Sequence, residues 1–350
     1  MKLNKILAVL GTFALCVSPM IAQEADLPED AQVEVVENNA EEVSVETKSP
    51  LTFSVNVQTA YYPKSDYVAA AEKETHYAPF TGAYSGLEGA ITPQMDYVIP
   101  TPLGDNWLLN SANLKLSTYL QITPVTVKPG VSATWTPLPF LVFSTGGEAG
   151  TGWNVGNIFT GGMGAYDASS NTYNADTPFA NWFLKTWFQG TFQFDTGALI
   201  PGDWTHILMQ YSYQAYYQNY TGAEAQQLWT WQCSGNRVDG WFQYMNAILA
   251  YQLPIPVLKL VGVMFESDGA YSDDVYSNES YKGSFKELSL SPLMQFSFGK
   301  HSSLTALFHF KSRRAYSSDT YNSDLPDSYK TTNGREWFFN RVAISYTYTF

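Results

Sequence analysis

Along much of this chain apolar and polar residues alternate one for one, the period of a β-strand whose two faces meet different surroundings. The clearest run is the last one, where Val342, Ile344, Tyr346, Tyr348 and Phe350 alternate with Ala343, Ser345, Thr347 and Thr349. Leu51, Phe53, Val55 and Val57 stand in the same way against Thr52, Ser54, Asn56 and Gln58. Ile207, Met209, Tyr211 and Tyr213 oppose His206, Gln210, Ser212 and Gln214. Leu288, Leu290, Met294, Phe296 and Phe298 oppose Glu287, Ser289, Ser291, Gln295 and Ser297, and Leu304, Ala306, Phe308 and Phe310 oppose Thr305, His309, Lys311 and Arg313. A slip of one residue would exchange the faces, so the register is fixed wherever one face meets an apolar medium.

The pattern predicts strands near 51–62, 112–135, 139–146, 183–195, 205–220, 241–252, 257–266, 286–298, 303–314 and 336–350. Their links alternate in length. Short turns fall at 136–139, 253–256 and 299–302, with a modest one at 196–204, and long loops at 63–111, 147–181, 221–240, 267–285 and 315–335. Ten antiparallel strands satisfy this bookkeeping, and an even count returns both termini to one side. Segment 112–135 is awkward: it carries Pro124 and Pro129, and its apolar parity moves from even positions (Leu114 to Ile122) to odd ones (Val125 to Val131). A bulge at Thr123-Pro124 accounts for this within one strand. An extra hairpin there would make twelve strands, at the expense of the loop alternation or of a strand hidden elsewhere. Segments 139–146 and 257–266 are apolar on both faces and give no register.

Composition says what the apolar face meets. Aromatic residues make up 16% of the chain and charged residues 15%, against roughly 25% charged in a soluble domain. Low charge with abundant Tyr and Phe suits strands facing lipid between aromatic belts; an aromatic-rich β-sandwich is the soluble alternative. No run supplies the ~20 apolar residues of a spanning helix. The best, 247–265, is broken by Gln252, Pro254, Pro256 and Lys259. A membrane location therefore demands a closed barrel, because lipid satisfies no open backbone group. Lys2 and Lys5, the apolar run 6–17 and Ala22 before Gln23 read as a signal peptide over 1–22. Met20 leaves the cut uncertain by a few residues, and Leu15 is too large for a lipoprotein site at Cys16. Residues 23–50 form an acidic leader, with nine carboxylates against one lysine between Glu24 and Lys48, expected to be disordered and periplasmic. Only Cys233 lies beyond the signal peptide, so no internal disulfide is expected. No basic patch points to nucleic acid.

With a signal peptide in front, the terminal strand resembles the C-terminal signature of bacterial outer-membrane proteins: a last aromatic, Phe350, preceded by alternating apolar positions that include Tyr346 and Tyr348. The resemblance covers ten residues. It implies an all-β, transmembrane, antiparallel up-and-down β-barrel over 51–350, surrounded by outer-membrane lipid and inserted by the barrel-assembly machinery. Its N-terminus and short turns would be periplasmic and its long loops external. Tyr61, Tyr62, Trp182, Tyr217, Tyr220, Trp241, Trp337 and Phe338 would form the outer belt, and Trp204, Tyr251, Phe298 and Phe350 the inner one.

The candidate chemistry lies on inward positions. His309, Lys311, Arg313 and Arg341, with Lys185 at a similar height, would make a basic lumen patch able to select anionic solutes. The alternative is ordinary lumen polarity, balanced by Glu287 and Asp195 through inter-strand ion pairs. Acidic residues in predicted loops (Glu266, Asp268, Asp273, Asp274, Glu279, Asp319, Asp324, Asp327) lack the spacing of a calcium loop. No metal or cofactor is expected. The Gly-rich stretch 146–164 has no Lys-Ser/Thr end and reads as an external loop rather than a phosphate cradle. Outer-membrane proteases carry Asp and His pairs at the outer rim, and outer-membrane phospholipases a Ser, His and Asn group. Here His206 and His301 fall near the periplasmic end and His309 in the lumen, which leaves only His76 near the outer mouth, with Asp268 or Asp273 as partners. The expected function is therefore a porin-like channel or small-solute uptake barrel. A surface-interaction barrel acting through its loops and an outer-membrane hydrolase are the alternatives.

Overall fold

In the computed structural model, the described residues are 49–67, 77–81, 86–154, 163–232, 234–276, 278, 281–317 and 323–350. The predicted signal peptide with its Ala22–Gln23 junction, nearly all of the acidic leader, and His76, Cys233, Glu279 and Asp319 lie outside them.

The alternating segments pair edge to edge and close on themselves. Twelve antiparallel strands form the ring: β1 (Leu51–Tyr62), β2 (Gly86–Pro100), β3 (Asn113–Ile122), β4 (Thr126–Leu138), β5 (Leu141–Gly152), β8 (Phe183–Asp195), β9 (Ile207–Tyr220), β12 (Gly240–Gln252), β13 (Leu258–Ala270), β14 (Glu287–Ser297), β15 (Ser302–Tyr316) and β16 (Thr332–Thr349). Each pairs with its sequence neighbour among these, and β1 closes on β16 from Ser54↔Thr349 to Tyr61↔Val342. Four short strands, β6 (Met163–Asp167), β7 (Thr172–Ala175), β10 (Trp229–Trp231) and β11 (Ser234–Arg237), make a separate sheet in the order β11-β10-β6-β7. The ring has no free edge, which is what a sheet needs in order to satisfy its backbone within a bilayer.

The favoured count of ten gives way to the alternative of twelve, with the extra hairpin in 112–135 and one further strand, β2, and both added strands have physical explanations. In β2 the outward positions Leu87, Ile91, Met95 and Tyr97 are exposed while Ala90 and Thr92 are buried. The dyad was present, but Glu88, Asp96, Pro93 and Pro100 interrupt it with loop chemistry. The parity flip at Thr123-Pro124 is a turn, not a bulge. Thr123 Oγ1 accepts from the amides of Val125 (3.3 Å) and Thr126 (3.0 Å), the local bond by which a threonine turns the chain. This turn, three residues long, lies at the same end of the barrel as the long links, so the predicted alternation fails there. β5 and β13 run several residues further than predicted, to Gly152 and Ala270. Gly146 to Gly152 are therefore barrel wall rather than loop.

Phe53, Ile91, Val131, Phe188, Phe192, Met209, Leu249 and Phe310 are among the side chains exposed on the outside of the ring. Of the expected belts, Tyr61, Trp182, Tyr217, Trp241, Trp204, Phe298 and Phe350 are exposed. Tyr62 and Tyr220 are instead buried. Phe338 also turns inward: His309 pairs with Arg341 but Phe310 with Phe339, so Asn340 is an extra residue that reverses the parity beyond it.

The barrel's core is its own interior. One apolar row follows the inter-strand pairs Leu208↔Ala250↔Gly262↔Leu293↔Leu307↔Ala343↔Ala60 across seven strands. Ile248, Leu260, Met264 and Tyr62 complete this buried cluster.

Candidate functional site: a roofed polar chamber in the lumen

On the inner faces of β12 to β16 the positions beyond this apolar cluster, away from the termini, are polar. Met264 pairs with Ser291 and Ile248 with Gln210, after which come Glu266 with Ser289, Lys311 with Ser289, and Asp268 with Glu287. They surround a cavity of about 280 Å³. Five of its lining residues are permanent cations (Arg237, Lys311, Arg313, Arg314, Arg341) and four are carboxylates (Glu266, Asp268, Glu287, Asp327), so its charge nearly cancels.

Two of the five cations are ion-paired to carboxylates on neighbouring strands. Lys311 Nζ lies 2.6 Å from Glu287 Oε2. Arg313 Nε lies 2.7 Å from Glu336 Oε1, and its guanidinium is held between the rings of Tyr67 (3.5 Å) and Phe338 (4.4 Å). Glu266 accepts from the Tyr244 hydroxyl (2.8 Å) and the Ser289 hydroxyl (2.7 Å), with His309 Nε2 at 3.6 Å. Asp268 accepts from the Tyr216 hydroxyl at 2.9 Å, and Lys185 Nζ sits 4.4 Å above that tyrosine's ring. Arg341 donates to the Tyr62 hydroxyl at 2.8 Å.

The small sheet roofs the lumen beside the chamber, and Arg237 of β11 reaches into the chamber's lining. The Trp229-Thr230-Trp231 strand turns in from the 221–239 link, and both tryptophans are fully buried. Trp231 stacks on Phe183 with centroids 4.9 Å apart, and Gly150 makes room for it: a Cβ there would lie 2.3 Å from the indole. Gln232 donates to Thr126 Oγ1 on the wall at 2.7 Å. Beside it Tyr166, Leu228 and Val238 pack on Trp187, Tyr216 and Phe242 of the wall. Asp239 anchors the return of the chain by accepting from the Tyr220 amide (2.9 Å), the Trp229 indole (2.9 Å) and the Asn219 amide (2.5 Å). Burial of this loop carboxyl pushes it up to about 6, against the pull of the Trp229 and Asn219 bonds.

Of the residues singled out by sequence, Glu287, His309, Lys311, Arg313 and Arg341 line the chamber, and Lys185 is buried just behind Tyr216. The patch is not simply basic. Glu287 is its counter-charge as one expectation had it, but Asp195 is not: it lies 2.7 Å from His206 Nδ1 at the termini end. Sequence reading placed Glu266 and Asp268 near or in a loop. Their parity with Leu260 and Met264 was the available signal that the strand continues. It also missed Tyr244, Arg237 and the paired tryptophans of the roof, whose burial inside a nominal loop depends on the wall that receives them. His301 bonds the Thr349 carbonyl (2.8 Å) at the termini end. Among the described residues no group of three or more His, Cys, Asp or Glu is placed to hold a metal ion.

No protein-family model matches the chain, and no curated protein does. Solved structures of similar architecture are bacterial outer-membrane β-barrels. An outer membrane channel from Pseudomonas putida F1 is 11% identical, with a TM-score of 0.42 over 91% of this chain and 100% of that one. The beta domain of the Bordetella autotransporter BrkA is 9% identical, at 0.41 over 86% and 99%. The outer membrane channel DcaP of Acinetobacter baumannii is 10% identical, at 0.35 over 86% and 96%. Similarity at this level leaves function to be argued from the chain's own geometry.

Proposed function

We propose that this chain is an outer-membrane barrel that takes up a small solute through a constricted, roofed lumen. The observation that supports this reading is what one closed ring encloses: an inward-folded aromatic strand, beside it a polar chamber of nearly balanced charge, and an apolar row. Twelve strands lie between the eight that side chains just fill and the sixteen or more that leave an aqueous channel. The lumen here is accordingly narrow, and a hydrophobic constriction gates by dewetting. In this reading the roof faces the exterior and the termini face the periplasm. A solute would displace the Trp229–Trp231 strand, occupy the chamber and pass the apolar row.

The depth to which those tryptophans are buried also favours a second reading, a surface-interaction barrel whose lumen is permanently plugged. Swelling of proteoliposomes in isosmotic solutes separates the two. Uptake predicts slow entry of small solutes that accelerates in Trp231→Ala; a plugged structural barrel predicts no entry in the wild type. Absence of entry in both proteins would overturn the uptake reading.

A further inference from the structure

Resting on that uptake reading, we infer that the solute is neutral and polyhydroxylated, a sugar or polyol rather than an ion. Two features of the inner wall carry this. The first is the near balance of the chamber's charges, five cations against four carboxylates, with Lys311 held to Glu287 and Arg313 to Glu336. A lumen meant to concentrate one sign of ion presents an uncompensated ring of the other sign. Balanced charges of both signs instead leave a nearly neutral space edged by strong donors and acceptors.

The second feature lies elsewhere on the wall. Asn56 and Gln58 on β1, Gln210 and Gln214 on β9, Asn246 on β12 and Ser291 on β14 are all at least nine-tenths buried, and each has a side-chain polar atom with no protein hydrogen-bond partner. β1 and β9 occupy opposite positions in the ring, so the amides stand on facing walls. Buried polar atoms are almost always satisfied, and leaving them unsatisfied is costly. The closed lumen is thus set to be relieved by a guest that brings hydrogen-bonding capacity. A hydroxyl group fits whichever way each amide is turned, because it donates to a carbonyl oxygen and accepts from an amide nitrogen. The unmet amide atoms are oxygens, which an inorganic anion cannot satisfy and a cation could meet only after losing its water. These six residues also offer no charge to repay its dehydration. The chamber of about 280 Å³, which other residues line, limits the guest to a small molecule.

The test compares uncharged and charged probes on the same full-length barrel, as wild type and as Trp231→Ala. Swelling is measured in isosmotic glycerol, arabinose and glucose, and single-channel current in potassium chloride. The inference expects the sugars to enter while the current stays at background. The double variant Gln210→Leu/Gln214→Leu should slow sugar entry by roughly 5- to 100-fold, the combined weight of two neutral hydrogen bonds. Ionic current without sugar entry, or the two at comparable rates, would overturn the neutral-solute assignment and leave uptake standing. Failure of both probes in both proteins would overturn uptake itself. The sugar-against-salt comparison needs only the wild type and Trp231→Ala, so it decides the matter even if the double leucine variant fails to assemble.

Discussion

Truncating Trp231 to alanine should unseat the roof and leave the barrel closed. The side chain is fully buried, lies 4.9 Å from the Phe183 ring at an interplanar angle of 27°, and fills the notch left by Gly150. Removing a buried tryptophan of this kind costs about 3–5 kcal/mol. At ~1.4 kcal/mol per tenfold, that moves the docked-to-undocked ratio by roughly two to three and a half orders of magnitude. The cost should fall on docking, because β10 belongs to the small sheet and contributes no rung to the twelve-strand ladder. Gly150→Ala attacks the same contact from the wall, since its Cβ would come within 2.3 Å of the indole and the ring must move. Amide exchange of 228–238, followed by mass spectrometry in detergent micelles, should accelerate in both variants. Heat-modifiable mobility on gels should still report a closed barrel. Unchanged exchange in Trp231→Ala, or loss of the heat-modifiable form, would refute the division of labour between roof and wall.

Further predictions concern the anchor and the lumen. A carboxyl held up at about 6, above its ordinary 3.8, binds its proton more tightly when docked; Asp239 therefore makes the roof firmer as pH falls from about 6 toward 4, and that gain is lost above about 6. Exchange of 228–238, corrected for intrinsic rates, should be slower at about pH 5 than at about pH 7.5, and Asp239→Asn should abolish the difference. Lys311→Ala should destabilise the barrel by about 1–3 kcal/mol, less than the ~3–5 typical of a fully buried pair because the Glu287 side chain is 34% exposed. The double variant Lys311→Ala/Glu287→Gln should recover most of that loss in urea unfolding; no recovery would mean the two charges are not coupled. Leu307→Ala in the apolar row should cost about 2–5 kcal/mol in the same assay and speed solute entry, whereas a stability loss without faster entry would show that the row is not the constriction.

The dyad repeat was legible because a strand with unlike faces advertises itself two residues at a time, and β1 and β8 were read to the residue. β2 escaped because Pro93, Glu88 and Asp96 are loop-formers in composition but sit on a ladder whose partners, β1 and β3, supply the pairing. The Thr123 turn was legible as a parity flip, yet a bulge and a hairpin give the same flip, and only the neighbouring strands discriminate between them. The chamber was half legible. Inward positions of β14, β15 and the part of β16 from Arg341 onward followed from alternation, but Glu266 and Asp268 looked like loop acids until β13 was seen to continue.

The sequence by itself therefore determined an all-β chain with one greasy and one hydrophilic face, since side-chain alternation is a local property of the backbone. Tertiary structure alone decided the strand count, the pairing of each charge in the lumen, and the insertion of Trp229 and Trp231 beneath the rim. Those depend on which residues of distant strands come opposite one another once the ring closes, and closure is a property of the whole sheet that no single strand encodes.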